Sequence, residues 1–284
     1  MENLIKKLDL NEYITNFSKL FAREKSIILE GDINIHYKII SELSKYNINQ
    51  PLSVQNLDSQ LMHLQKQGVL RVYEIYEFIK IINYFLYLKR FNFEGKLFEW
   101  MDKIIIPNDI LKICEYFDDK ANLKEGVDED FDNIKQAIYK NKEEIKQSLY
   151  KTINSSKIKP YLVDMQVYFI NEQECLLVRG GFNHILSGSV IDRSNSGFFY
   201  VIPHSVSDLK EKQSDLKNKQ EEILFKLCKE ISHIFEKNLL FLKFINKEFD
   251  KFDHYQARIF FSKIGDKNFI LPSKKDENRL VDFC

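Results

Sequence analysis

The chain has 284 residues, 44% of them hydrophobic and 30% charged, and its 42 basic and 42 acidic side chains cancel to a formal charge of zero. That length and apolar content can bury a core in one large domain or two to three small ones, which excludes a globally disordered chain. A balanced charge also excludes the long-range pull that a strongly basic protein exerts on nucleic acid, so any phosphate contact has to be built locally.

Residues 1–120 read as a helical array. Leu4, Ile5, Leu8 and Leu10 open it, and Ile33, Tyr37, Ile40 and Leu43 follow at helical spacing. Leu61, Leu64, Val69 and Leu70 come after the break at Pro51. Tyr73 to Phe91 forms a strongly apolar helix, and Ile110 to Phe117 a short one after Pro107. Lys80 and Asn83 interrupt the apolar run, so it reads as a buried core helix.

Asn122 to Asp130 is a polar loop. Beyond it Phe131, Ile134, Ile138, Ile145 and Leu149 recur at spacings of 3, 4, 7 and 4 among Lys and Glu. That is a single thin seam on a charged helix, with room for one partner helix.

From Lys157 to Pro203 the pattern changes. Val163, Met165, Val167 and Phe169 alternate, and short β-prone runs follow at Cys175 to Val178, Ile185–Leu186, Val190–Ile191 and Phe198 to Ile202. Turn residues separate them, and four of the nine glycines fall between 180 and 197. Short strands split by Gly and Asn turns predict a small antiparallel sheet. Ser205 to Phe252 is then free of Pro and Gly. Its first part, SDLKEKQSDLKNKQEE, carries only Leu209 and Leu216 as apolar members, and its second part is dense in Ile, Leu and Phe. A single helix over this run would be roughly 70 Å long at 1.5 Å per residue, with the helix after Phe131 as its antiparallel partner. The expected fold is mainly α with a small antiparallel β insertion.

Catalytic chemistry finds little support. No G-x-x-x-x-G-K-[ST] run exists, so this stretch has no phosphate loop of the Walker type. Glu230 and His233 make one Glu-x-x-His, but a di-iron bundle needs a second copy and two further carboxylates. Asp250 and His254 share a helical face and read as a salt-bridged pair. Cys175 and His184 lack the elbow, orienting acid and oxyanion loop of a nucleophile–base pair. The four cysteines, Cys114, Cys175, Cys228 and Cys284, are scattered and suit reduced thiols in a cytoplasmic protein. The opening MENLIKKLDLNEY has no signal-peptide core, and no stretch approaches the ~18 apolar residues of a membrane span. We therefore expect no enzyme activity and no cofactor or metal in this chain.

What remains is the β region. Lys157, Lys159, Arg179, His184, Arg193, Ser194, Asn195 and Ser196 are the groups there that could grip phosphates without reading bases. Residues 153–205 hold four basic and four acidic side chains, so by count they form no strong basic patch.

The stretches LKEGVDEDFDNIKQAIYKNKEEIKQSL and LLVRGGFNHILSGSVIDRSNSGFFYVIPHSVSDLKEK resemble the MutS family of DNA mismatch-repair ATPases. Within it they look like the second bacterial paralogue, the recombination-suppressing branch. Gly126, Val127 and Asp130 fit the element before the first long helix. Gly188, Val190, Asp192, Ser194, Ser196, Gly197 and Pro203 match the tip pattern G-x-V-x-D-x-S-x-S-G followed by an apolar strand ending in Pro. The resemblance covers roughly 110–265 well. It implies a helical core (1–122 and 248–284), lever helices (123–152 and 206–247) and a clamp (153–205). It also implies that Arg179, His184, Arg193, Ser194, Asn195, Ser196, Lys157 and Lys159 close on duplex or branched DNA. The family continues past RLVDFC into an ATPase domain that uses ATP and Mg, often followed by a nuclease-type domain, and both are expected to be missing here. The full-length protein would be a homodimer and this part a monomer or weak dimer. Family clamps carry more Arg and Lys on their strands than LLVRGGFNHIL, and Phe198–Phe199 replaces small residues. A ribosome- or protein-binding clamp is the competing implication, and a structural coiled-coil arm a third.

Overall fold

A computed structural model gives the structure of the protein and describes residues 9–171, 173–182 and 184–264. The expected contributions of Leu4, Ile5, Leu8, Cys284 and the 265–284 end lie outside these residues. The described chain is mainly α-helical, with nine α-helices and one four-stranded antiparallel sheet. It divides into two compact units, Met1–Lys124 with Cys228–Cys284, and Glu125–Leu227.

In the first unit the helices are α1 (Asn11–Ser18), α2 (Ile33–Leu43), α3 (Asp58–Gln65), α4 (Val72–Leu88), α5 (Gly95–Asp102), α6 (Asn108–Glu115) and α9 (Leu239–Ile264). Local chemistry starts several of them. The Asp32 carboxylate accepts from the Asn34 N–H at 2.8 Å, and the Glu74 carboxylate accepts from the Arg71 N–H ahead of α4. These bonds satisfy donors that the first helical turn leaves orphaned. Helix α4 buries Ile75, Phe78, Ile79, Ile81, Ile82, Phe85 and Leu88, as its near-continuous apolar sequence predicts.

Helix α9 is the spine against which α1, α2, α3 and α4 pack. Polar groups are buried along it, each with partners, as burial requires. Arg23 forks onto Asp250 at 2.8 and 2.7 Å and reaches Asn246 at 2.8 Å. Lys25 bridges Asp250 and Asp253, and the Ala22 N–H donates to both Asp253 oxygens. Asp250 therefore pairs with Arg23 and Lys25, not with His254 as its spacing suggested. His254 instead accepts from the Arg258 guanidinium at 3.1 Å. Likewise His233 contacts Glu236, not Glu230.

The second unit begins with α7 (Glu129–Ile153). Its N-terminus carries Glu129, Asp130 and Asp132, and the Asp128 carboxylate caps the Phe131 N–H at 2.7 Å. Gly126 has φ +85 and donates its N–H to Asp132. After a short 3₁₀ turn at Lys159–Tyr161 come β1 (Leu162–Ile170), β2 (Gln173–Val178), β3 (Gly188–Arg193) and β4 (Phe199–Pro203), in the order β1-β2-β4-β3. The C-terminal half of α7 lies against the sheet. Ile145, Leu149 and Ile153 form one core with Leu162, Leu176, Val178, Val201, Ile202 and Val206.

The unit boundary at 227/228 falls inside α8 (Ser207–Lys237), whose first turns belong to the second unit. There α8 runs antiparallel to α7: Ser148 donates to Ser205 O, Asn141 to Leu209 O at 3.0 Å, and Lys212 meets Glu144 at 3.6 Å.

Two expectations need correction. The Pro- and Gly-free run from Ser205 is not one helix. It breaks at Asn238, whose side chain and backbone N–H both bond the Ile234 carbonyl, while its N–H also reaches Phe235 O. A side chain that competes for backbone acceptors interrupts the i→i−4 ladder. The alternation in β1 also does not mark a buried face. The register shifts between Leu162 and Val167 on this edge strand, and Met165 (45%) and Phe169 (67%) are exposed. Such a bulge re-aims the side chains that follow it.

Candidate nucleic-acid interface

The geometry of the sheet gathers most of the candidate residues at one end. Pairing runs Leu162↔Val178, Val178↔Phe199 and Arg193↔Phe199, so these four residues make one row across all the strands. Just beyond that row lie the segment with Lys157 and Lys159 that leads into β1, Arg179 after β2, and the turn from Ser194 to Phe198 between β3 and β4.

That turn is held from within. The Ser194 N–H donates to Phe198 O at 2.8 Å, the Gly197 N–H donates to Ser194 O at 2.9 Å, and the Phe198 N–H donates to Ser194 Oγ at 3.1 Å. Gly197 has φ +82, a conformation a residue with a Cβ adopts only at a cost. Ser194 is thus partly a structural residue, while Asn195 and Ser196 stand exposed at the apex. Arg193 lays its guanidinium 5.2 Å from the centre of the Phe199 ring. Such a cation–π contact holds the charge at the surface without neutralising it.

Arg179 is anchored differently. Its backbone N–H donates to Tyr161 O and its Nε to Leu162 O at 3.1 Å. One edge of the guanidinium is therefore engaged by the fold, and the residue as a whole remains exposed. A Cβ placed on Gly180 would sit 3.1 Å from the Gly197 carbonyl oxygen, which brings the Arg179 loop against the β3–β4 turn. His184 stands apart, exposed further along the loop that crosses from β2 to β3.

The even count of charges in 153–205 conceals this segregation. Lys157, Lys159, Arg179 and Arg193 sit at the same end of the sheet. Glu174 lies towards the opposite end, paired with Phe169 of β1, and is engaged by Lys210. Burial raises the Glu174 carboxyl, yet its bonds to Lys210 and to the backbone outweigh that and hold it below the usual range. Asp192 and Asp164 are the nearer acids. Asp192 accepts from the Arg193 N–H at 2.7 Å and Asp164 accepts from the Tyr168 hydroxyl.

The Cys175–His184 pairing finds no support. Cys175 is fully buried, its thiol directed at the Tyr168 carbonyl at 3.6 Å, and burial pushes it up to about 11. A thiol held protonated is a poor nucleophile. Among the described residues no group of three or more His, Cys, Asp or Glu side chains could hold a metal, and no helix is long and apolar enough to cross a membrane.

Sequence reasoning missed Asn141. It is 1% exposed, fills the seven-residue gap between Ile138 and Ile145, donates to Leu209 O, and leaves its own Oδ1 without a partner. The gap in the apolar stripe was the available signal.

No family model matches the chain. It is similar to the protein named Endonuclease MutS2 of Helicobacter pylori strain 26695, with 32% identity over 284 residues. The Endonuclease MutS2 of strain J99 is likewise 32% identical. Each match covers 98% of this chain and 37% of the relative, so the chain spans little more than a third of the length of the curated relatives it matches. This similarity supports a MutS2-related family for the chain.

Proposed function

We propose that this chain is the core, lever and clamp portion of a MutS2-related protein in DNA recombination or repair. In this reading it holds duplex or branched DNA through the backbone. Lys157, Lys159, Arg179 and Arg193 supply charge at one end of the sheet, and Asn195, Ser196 and the turn amides supply hydrogen bonds to phosphate oxygens. Contacts to phosphate oxygens position a protein on the duplex and carry no sequence information, so a grip of this kind is independent of sequence. The observation that carries the reading is the row Leu162–Val178–Phe199–Arg193, which puts four cations at one end of a sheet whose total charge is balanced.

The antiparallel contacts of α7 with the start of α8 support a lever role for these helices. The domain divisions that go with that role are 1–122 and 248–284 for the core, 123–152 and 206–247 for the lever, and 153–205 for the clamp. ATP- and Mg-dependent chemistry, nuclease activity and homodimerisation would be properties of the whole protein. For this chain we propose no catalysis, no cofactor of its own, and a monomeric or weakly dimeric state in the cytoplasm.

A second reading is favoured by the exposed Met165, Phe169 and Phe182, which suit a protein or ribosomal surface better than phosphates. Binding of this chain to a labelled four-way junction and to ribosomes, each across a salt series, separates the two. Phosphate contacts weaken steeply with salt, and apolar ones do not. Salt-sensitive junction binding supports the clamp on DNA. Salt-insensitive ribosome binding with no junction binding refutes it.

A further inference from the structure

Helix α7 divides its charges along its length. Its first turn holds Glu129, Asp130 and Asp132, where acids complement the helix dipole. From 135 to 159 the sequence holds seven lysines and two glutamates. Both of those glutamates have cationic partners: Glu143 lies 4.0 Å from Lys146, and Glu144 lies 3.6 Å from Lys212.

Tyr139, Lys142, Lys146 and Tyr150 stand at i, i+3, i+7 and i+11, so they share one face of the helix. That face is turned roughly 100° from the buried seam of Phe131, Ile134, Asn141, Ile145 and Leu149, by the 3.6-residue period, and the seam drifts towards it only at Ile153, in the last turn. Tyr139 is 67% exposed and Tyr150 49%, and both lysines are exposed between them. Lys142 lies close enough to Glu174 to help hold that carboxyl ionised, and Glu174 is already engaged by Lys210.

We propose that this face binds a single-stranded segment of nucleic acid. The two lysines would meet successive phosphates and the two tyrosine rings would stack on unpaired bases. The proposal rests on the nucleic-acid reading above and adds the ligand's class. Duplex has no free base faces to offer the rings, whereas a strand leaving a branch point has them. Cations set between aromatic rings combine the two contacts that grip single strands without sequence preference. The rings are about 16 Å apart along the helix axis at 1.5 Å per residue, which is room for a few nucleotides. Charge complementarity selects this occupant: seven lysines stand against two glutamates from 135 to 159, so the stretch keeps a basic excess although Lys146 lies 4.0 Å from Glu143 and Lys142 acts on Glu174. The same unit carries the cationic end of the sheet, so one strand from a junction could be held while its duplex arms meet the clamp.

The test uses the intact chain and a fluorescein-labelled oligothymidylate, with a matched duplex and a four-way junction as comparisons. Tyr139→Ala with Tyr150→Ala should weaken oligothymidylate binding at least tenfold, and Tyr139→Phe with Tyr150→Phe should restore it to within about twofold of the parent. Lys142→Gln with Lys146→Gln should lower the salt slope by about one unit or more. Duplex affinity should stay within about twofold in the tyrosine variants. Unchanged oligothymidylate binding in the alanine variant, equal loss in the phenylalanine variant, or equal competition by polyglutamate would each overturn the assignment. The outcomes separate from those of the clamp reading. Loss of junction binding confined to Arg179 and Arg193 variants would leave the clamp standing while this face fails, and the reverse pattern would do the opposite.

Discussion

Gly180 and Gly197 meet so closely that a Cβ added to the first would stand 3.1 Å from the carbonyl oxygen of the second. The loop that follows β2 therefore rests on the β3–β4 turn at a distance that the bare backbone of Gly180 allows without adjustment. That contact joins Arg179 and Arg193 into one surface.

The glycines of this unit should respond unequally to substitution. A Cβ on Gly188 would lie 2.2 Å from Ile202 O, backbone against backbone in the sheet, and Gly188→Ala should cost about 1–3 kcal/mol by overpacking. Gly181 has φ +85 with open space around its Cβ position, so Gly181→Ala should cost only the left-handed strain, about 1 kcal/mol. Urea unfolding followed by a probe within 125–227 checks the order; equal losses at both sites would contradict it.

Asn141 should be a place where stability can be gained. Its Oδ1 is buried without a partner, and the Leu209 carbonyl it bonds lies at the start of a helix. Asn141→Leu should leave the unit as stable or raise it by about 1 kcal/mol, because an unmade buried hydrogen bond costs more than one satisfied donor returns. Asn141→Asp should lower it by adding a buried charge. Denaturant midpoints of the two variants give the comparison, and a clear loss in Asn141→Leu would show that the amide stabilises the helix pair.

His254 should give the first unit a pH dependence. Burial, aided by Arg258 and Lys25, lowers this imidazole to about 4. Its Nδ1 accepts from Arg258, which has no lone pair to offer in return, so the ring is neutral in the fold. The unfolded chain takes up this proton near 6.5 and the folded chain does not. Stability is therefore full above about 6.5 and falls as pH drops towards 4, by on the order of 3 kcal/mol. Tm measured from pH 4 to 7.5 should fall less steeply in His254→Gln than in the parent; parallel curves would rule the imidazole out as the source.

Much of the fold could be read from the residues, because the signals were local. The apolar helix of Val72–Leu88 announces itself by periodicity, and the sheet by its Gly and Asn turns. The polar loop expected to end at Asp130 places the start of α7 to within two residues, since the helix begins at Glu129 under the Asp128 cap.

What escaped depends on partners distant in sequence. The crossover from β2 to β3, which sets the order β1-β2-β4-β3, leaves no local trace, and neither does the gathering of four cations from an evenly charged segment at one end. The Asp250–His254 pairing failed for the same reason, since Arg23 and Lys25 approach from more than two hundred residues away. Asn141 and Asn238 each broke a pattern whose cause lies in a carbonyl that the side chain reaches.

The most direct test of the clamp on DNA is the salt dependence of four-way-junction binding, measured side by side for the parent chain and for Arg179→Ala with Arg193→Ala. If these side chains meet phosphates, the double variant binds more weakly and the slope of log K against log salt becomes shallower by about 1–2 units. A double variant that binds with the parent's affinity and the parent's slope at every salt concentration would contradict the account.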